Sequence, residues 1–140
     1  MRDKIRLDEA IRFHGHLGPY LVLGLLAGEL ALKKLKAKKY FGLRVKVYGA
    51  NKRPRTCLID GLQLSTGATY GKGNINKYEG FRIKIEFYNR ESHKRIILTF
   101  KGELNKRLGD AKTHKDSELL ARKLYGENRS KLFKLITYNL

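Results

Sequence analysis

Two segments of the chain gather the residue types that could do chemistry. The first is Phe13-His14-Gly15-His16-Leu17-Gly18-Pro19. The second is Cys57-Leu58-Ile59-Asp60-Gly61-Leu62-Gln63, which runs on through Thr66 to Asn74. Together they hold two of the four histidines, the only cysteine and the only glutamine. Both read as chain entering a helix, whose N-terminus presents free N–H groups and a partial positive charge. Borderline ligands collected at such places point to a site for a metal or an anionic substrate.

His14 and His16 flank Gly15, so a turn at the glycine can aim both imidazoles at one point. Imidazole suits zinc, copper, iron or nickel. Two histidines and one thiolate make three protein ligands, which leaves a fourth position for water or substrate. That is the ligand count of a catalytic zinc site, not of a closed structural one. With Thr56 as the N-cap, Cys57 falls in the first helical turn, near Arg53 and Arg55, where a thiol is expected to be more acidic than a free one. The opposing reading is that an unpaired cysteine is a small buried hydrophobe. Asp60 lies one turn beyond Cys57 on the same helix face, as a general base or as the group that orients a ligand histidine through its other ring nitrogen. Gln63 and Thr66 continue roughly that face and could fix a bound ligand. The glycine-rich stretch 67–74 fails the phosphate-loop pattern, because three residues separate Gly67 from Gly71 and Gly73 follows Lys72. It reads as a tight turn that could offer N–H groups and the Lys72 ammonium to an anion. His93 and His114 read as surface residues.

The elements that must position these groups follow from periodicity. Leu7, Ala10 and Ile11 predict a short amphipathic helix to Phe13. Pro19 suits the first position of a second helix reaching about Lys36, with Lys33, Lys34 and Lys36 at its negative end and a Glu29–Lys33 pair on its surface. Gly24 and Gly28 inside it predict close packing against a neighbour. Alternation at Leu43, Val45 and Val47 predicts a strand. Thr56 to about Ser65 predicts a helix. Phe81 to Phe87 and Arg95 to Lys101 read as a hairpin turning at Asn89 to Ser92. Helical pattern returns at Asp116 to Tyr125 and again near Ser130 to Ile136. This order predicts an α+β fold in one domain spanning residues 1–140, with no internal repeat and no linker.

The chain has 140 residues, 31 Lys and Arg against 13 Asp and Glu, and a formal net charge of +18. A 41% hydrophobic share supports a compact core and argues against disorder. The charge is compatible with a nucleic-acid footprint, with docking of an acidic partner or anionic substrate, or with the lysine-rich surface of a protein from a hot environment. A charged N-terminus without an apolar leader, together with a lone cysteine, predicts a cytoplasmic location. The apolar stretch from Leu17 to Leu32 is short for a membrane span and contains Glu29, so it reads as a buried helix.

Taken together, Phe-His-Gly-His-Leu-x-Pro, Leu-Gly-Leu-x-Ala-Gly-Glu-Leu-Ala and Cys-x-x-Asp-Gly-x-Gln-x-x-Thr-Gly-x-Thr-x-Gly-Lys-Gly-Asn resemble the formylmethanofuran dehydrogenase E-subunit family. The resemblance implies an α-β-α-β-β core with a mixed sheet, like the catalytic domain of glyceraldehyde-3-phosphate dehydrogenase, followed here by C-terminal helices. It also implies a homodimer and a divalent metal, often zinc, near the two motifs. Carried over, it points to His14, His16 and Cys57, with Asp60, Gln63, Thr66, Lys72 and Asn74 around the cavity; with the residue chemistry above, this reads as metal ligands His14, His16 and Cys57, catalytic groups Cys57 and Asp60, and Gln63, Thr66, Lys72 and Asn74 binding an anionic small molecule. Similar proteins usually carry cysteine where this chain has Gly18 and Ala68, and often a C-terminal zinc finger that has no counterpart after Cys57. An accessory role beside oxidoreductase subunits, or a non-catalytic basic module docking on nucleic acid or an acidic partner, is the alternative expectation.

Overall fold

The computed structural model describes residues 4–138. In chain order the elements are α1 (Leu7–His14), α2 (Pro19–Leu35), β1 (Leu43–Tyr48), α3 (Cys57–Thr66), β2 (Ile75–Tyr78), β3 (Lys84–Asn89), β4 (Arg95–Phe100), α4 (Gly102–Asp110), α5 (His114–Tyr125), α6 (Arg129–Leu132) and β5 (Phe133–Tyr138). The strands form one mixed sheet in the order β2-β1-β3-β4-β5. β1 and β2 are parallel and the other pairs antiparallel. The expected α+β architecture is thus the observed one.

α2 is apolar on nearly all sides because it is surrounded. It packs on β4, with α3 and α5 against its flanks, and eleven of its residues, from Leu21 to Leu35, are buried. The inward positions of the sheet, among them Val45, Val47, Ile85, Phe87, Ile96 and Leu98, close the same core. The expected close packing at the helix glycines occurs between α2 and α3. A Cβ on Gly24 would stand 2.3 Å from the Leu58 carbonyl oxygen, and one on Gly61 would stand 2.2 Å from that of Leu21. One turn on, Ser65 fills the space opposite Gly28, and its hydroxyl donates to the Gly24 carbonyl at 3.1 Å.

Three expectations are corrected. The segment from Phe81 is not strand until Lys84: Lys84 pairs with Tyr48, the last residue of β1, so the preceding residues have no ladder to join, and Phe81 is exposed. The helical pattern near Ser130 to Ile136 breaks after one turn, and Phe133 to Tyr138 pairs with β4 as an edge strand, its Phe133 and Leu135 alternating toward the core. Glu29 does not pair with Lys33; it faces Arg129 at 3.4 Å and Lys4 at 3.9 Å, brought to it by the chain's two ends. The short strand β2 and the helix α4 carry no clear period, and the sequence does not predict them.

Candidate metal centre

The centre is built where α1 ends, α2 begins and α3 begins. Gly15 closes α1 in the left-handed conformation at φ +102°, with its N–H donating to the Ile11 carbonyl at 2.7 Å. That reversal folds His16 back beside His14, the two rings lying 4.6 Å apart between centroids. Gly18 follows as the N-cap of α2, with Pro19 in its first turn. A side chain at position 18 would meet the His16 ring at 3.2 Å. The position at which similar proteins usually carry cysteine therefore borders this site.

The contact between α2 and α3 carries Cys57 to the two histidines. One ligand atom from each of His14, His16 and Cys57 lies within 4.8 Å of the others. Ligand atoms on one tetrahedral zinc stand about 3.3–3.7 Å apart at bonds of 2.0–2.3 Å, so the trio closes on an ion with a movement of about 1 Å. Asp60 completes the group: its Oδ2 lies 2.6 Å from His14 Nδ1. A carboxylate only accepts, so in the neutral ring Nδ1 carries the proton and Nε2 the lone pair. His14 Nε2 is buried and has no hydrogen-bond partner among the described residues. A buried, unpartnered nitrogen on an imidazole grouped with a thiol and a second imidazole suits a bound cation, which would relieve its lost hydration.

The expected acidity of Cys57 is overturned. Burial pushes its thiol above the usual range and the nearby Asp60 charge adds to that, while Arg53 opposes both. The entry to α3 also differs from the expected cap. Thr56 has helical backbone angles and makes no side-chain cap. The chain enters α3 through a turn in which the Cys57, Leu58 and Ile59 N–H groups donate to the Pro54, Arg55 and Thr56 carbonyls. The Cys57 N–H and Arg53 still favour the thiolate, but burial and the Asp60 charge outweigh them.

The remaining sequence candidates lie elsewhere. Thr66 is nine residues along α3 from Cys57, about 13 Å at 1.5 Å per residue, and at that end the side chains organise the loop after Gly67. Gln63 Oε1 accepts from the Tyr70 N–H at 2.8 Å, and Thr66 Oγ1 accepts from the Ala68 N–H at 3.0 Å. Asn74 accepts from the Thr69 N–H at 2.8 Å and donates to the Tyr40 carbonyl at 3.0 Å. The Lys72 ammonium donates to the Gly67 carbonyl and sits 4.8 Å from the Phe41 ring centroid. The reading of His114 as a surface residue holds. It is exposed, but its ring centroid lies 6.3 Å from that of His16. No spacing signal pointed to it; the start of α5, capped by Thr113 accepting from the Asp116 N–H, delivers it to the rim.

The chain matches, over residues 13–137, the family described as FmdE, molybdenum formylmethanofuran dehydrogenase operon. No curated protein matches it. Among solved structures it is similar to a tungsten formylmethanofuran dehydrogenase FmdE-like protein from Syntrophus aciditrophicus, with a TM-score of 0.64 and 17% sequence identity over 96% of this chain and 70% of that one. No helix among the described residues is long and apolar enough to cross a membrane. From the family match, which takes in both motifs of the centre, we conclude that the chain belongs to the FmdE family.

Proposed function

We propose that this FmdE-family protein binds one divalent transition metal, zinc foremost, through His14, His16 and Cys57, and presents it to an anionic small molecule. The observation that carries the reading is the buried, unpartnered Nε2 of His14, in a ring whose Nδ1 contacts Asp60 and which groups with His16 and Cys57. When bound, such a metal supplies a Lewis acid or an activated water at the position that three protein ligands leave open. Asp60 then acts as a positioning residue: its carboxylate fixes the tautomer and direction of His14. A positive group for the anion is supplied by Arg53, whose charge acts on Cys57. The family's link to the formylmethanofuran dehydrogenase operon makes anionic one-carbon carriers the substrate class to test first, with the chain serving beside an oxidoreductase.

Two outcomes test this reading. Asp60→Asn keeps the shape of the side chain but not its charge, and is expected to weaken zinc binding by about 10- to 100-fold in a competition titration. Unchanged affinity would remove Asp60 from the centre. The second concerns pH. Because the Cys57 thiol titrates above its usual range, it is protonated at neutral pH in the metal-free protein, and each bound ion must displace that proton. Protons compete with metal, so raising the pH tightens binding, by about tenfold per unit between pH 7 and 8.5. Calorimetry in buffers of different ionisation enthalpy reads the proton released; a pH-independent affinity would exclude the thiol as ligand.

A further inference from the structure

The helices that build the core pack on one side of the sheet only. Inward positions of β1, β3 and β4 are buried, whereas among the described residues no outward position of the sheet is. Register places Arg44, Lys46, Lys84, Arg95 and Lys134 on the outward face, against the single carboxylate Glu86, which Arg95 holds at 2.8 Å. Four tyrosines share the face. Tyr78 stacks on Tyr48 at 5.1 Å between centroids, and the Lys84 ammonium lies 4.5 Å from the Tyr48 ring. Tyr88 and Tyr138 stand on the strands beyond. Tyr78 and Tyr138 remain 42% and 44% exposed.

We propose that this uncovered sheet face binds single-stranded nucleic acid. Cations on four strands match a phosphate backbone, and interleaved aromatic rings offer base-stacking platforms that do not depend on sequence. Five strands at about 4.8 Å spacing span roughly 19 Å, room for about two to three splayed bases. The competing occupants fit less well. Two copies of this chain packed face to face would bring five cations against five, with Ile97 and Ile136 as the outward aliphatic side chains to bury. A duplex groove admits one helix or a two-stranded ribbon, not a five-stranded sheet.

Fluorescence anisotropy of the full chain with a labelled 12-nucleotide single-stranded RNA of mixed sequence, and with its duplex, tests the assignment. The single strand is expected to bind more tightly, with a slope of about −3 in log affinity against log salt for four to five neutralised phosphates. Lys46→Glu/Lys84→Glu is expected to weaken binding tenfold or more, while Lys33→Glu/Lys34→Glu, the same charge change at the end of α2, stays within about threefold. Tyr78→Ala is expected to cost about fivefold or more through lost stacking. If the double reversal unfolds the protein, Lys46→Gln/Lys84→Gln makes the same comparison. Absence of binding at 0.15 M salt, a preference for the duplex, or equal losses from the two charge reversals would overturn the proposal. So would a dimer that Lys46→Glu/Lys84→Glu splits while RNA binding persists, which would make the face an interface between copies.

Discussion

Gly24→Val is expected to lower the melting temperature by about 10–15 °C. Here α2 and α3 touch backbone to backbone: a Cβ at position 24 would lie 2.3 Å from the Leu58 carbonyl oxygen and 2.8 Å from Gly61 Cα, and neither is the end of a flexible side chain. The helices must move apart, and overpacking of this kind costs about 3 kcal/mol, toward the upper end of the usual range. For a domain of this size each kcal/mol is worth roughly 3–5 °C. The better helix propensity of valine over glycine recovers only a few tenths of a kcal/mol. The same displacement shifts Cys57, the residue before Leu58, so zinc affinity is expected to fall with stability. Gly109→Ala is the control. Nothing lies within 4 Å of the added methyl group, and alanine in the last turn of α4 is expected to stabilise by about 0.5 kcal/mol. A thermal melt of the three proteins checks both signs; a Gly24→Val melt coincident with wild type would mean that the helix crossing is looser than described.

The second large effect is on the metal. His14→Ala and Cys57→Ser are each expected to weaken zinc binding by on the order of a hundred- to a thousandfold, one ligand's share of the affinity of a multi-ligand site. The fold should survive both. Cys57 is only partly buried, and His14 lies at the end of α1, outside the main core. His14→Ala also leaves Asp60 without its imidazole partner, so it should be the more damaging of the two. Competition against a chromogenic chelator, with the melt recorded alongside, separates loss of a ligand from loss of the fold. Affinities within tenfold of wild type for both variants would exclude these side chains as ligands.

How much of this is legible in the sequence depends on the range of the interaction that decides it. The His14-Gly15-His16 turn, the Pro19 helix start and the placement of Asp60 one turn from Cys57 are local patterns, and all recur in the folded chain. The Gly24 and Gly28 signal indicates close packing but not the partner, because α3 meets α2 only through the tertiary fold. Cys57 misleads because its burial comes from the tertiary fold. Residues 53–56 turn into α3 without the expected Thr56 side-chain cap, and burial of the thiol with the Asp60 charge outweighs what Arg53 and the helix start offer a thiolate. Phe133 to Tyr138 misleads because edge pairing with β4 outweighs a weak helical period. Glu29 with Arg129, a hundred residues apart, and His114 beside His16 rest on contacts that no sequence spacing encodes.

His14, His16 and Cys57 are proposed to hold one metal ion. Elemental analysis of the native protein, purified without affinity tag or chelator, beside a His14→Ala/Cys57→Ser variant tests it most directly. About one transition metal per chain is expected in the native protein and almost none in the variant. No metal in the native protein, even after reconstitution with zinc, or equal metal in both proteins, would contradict it.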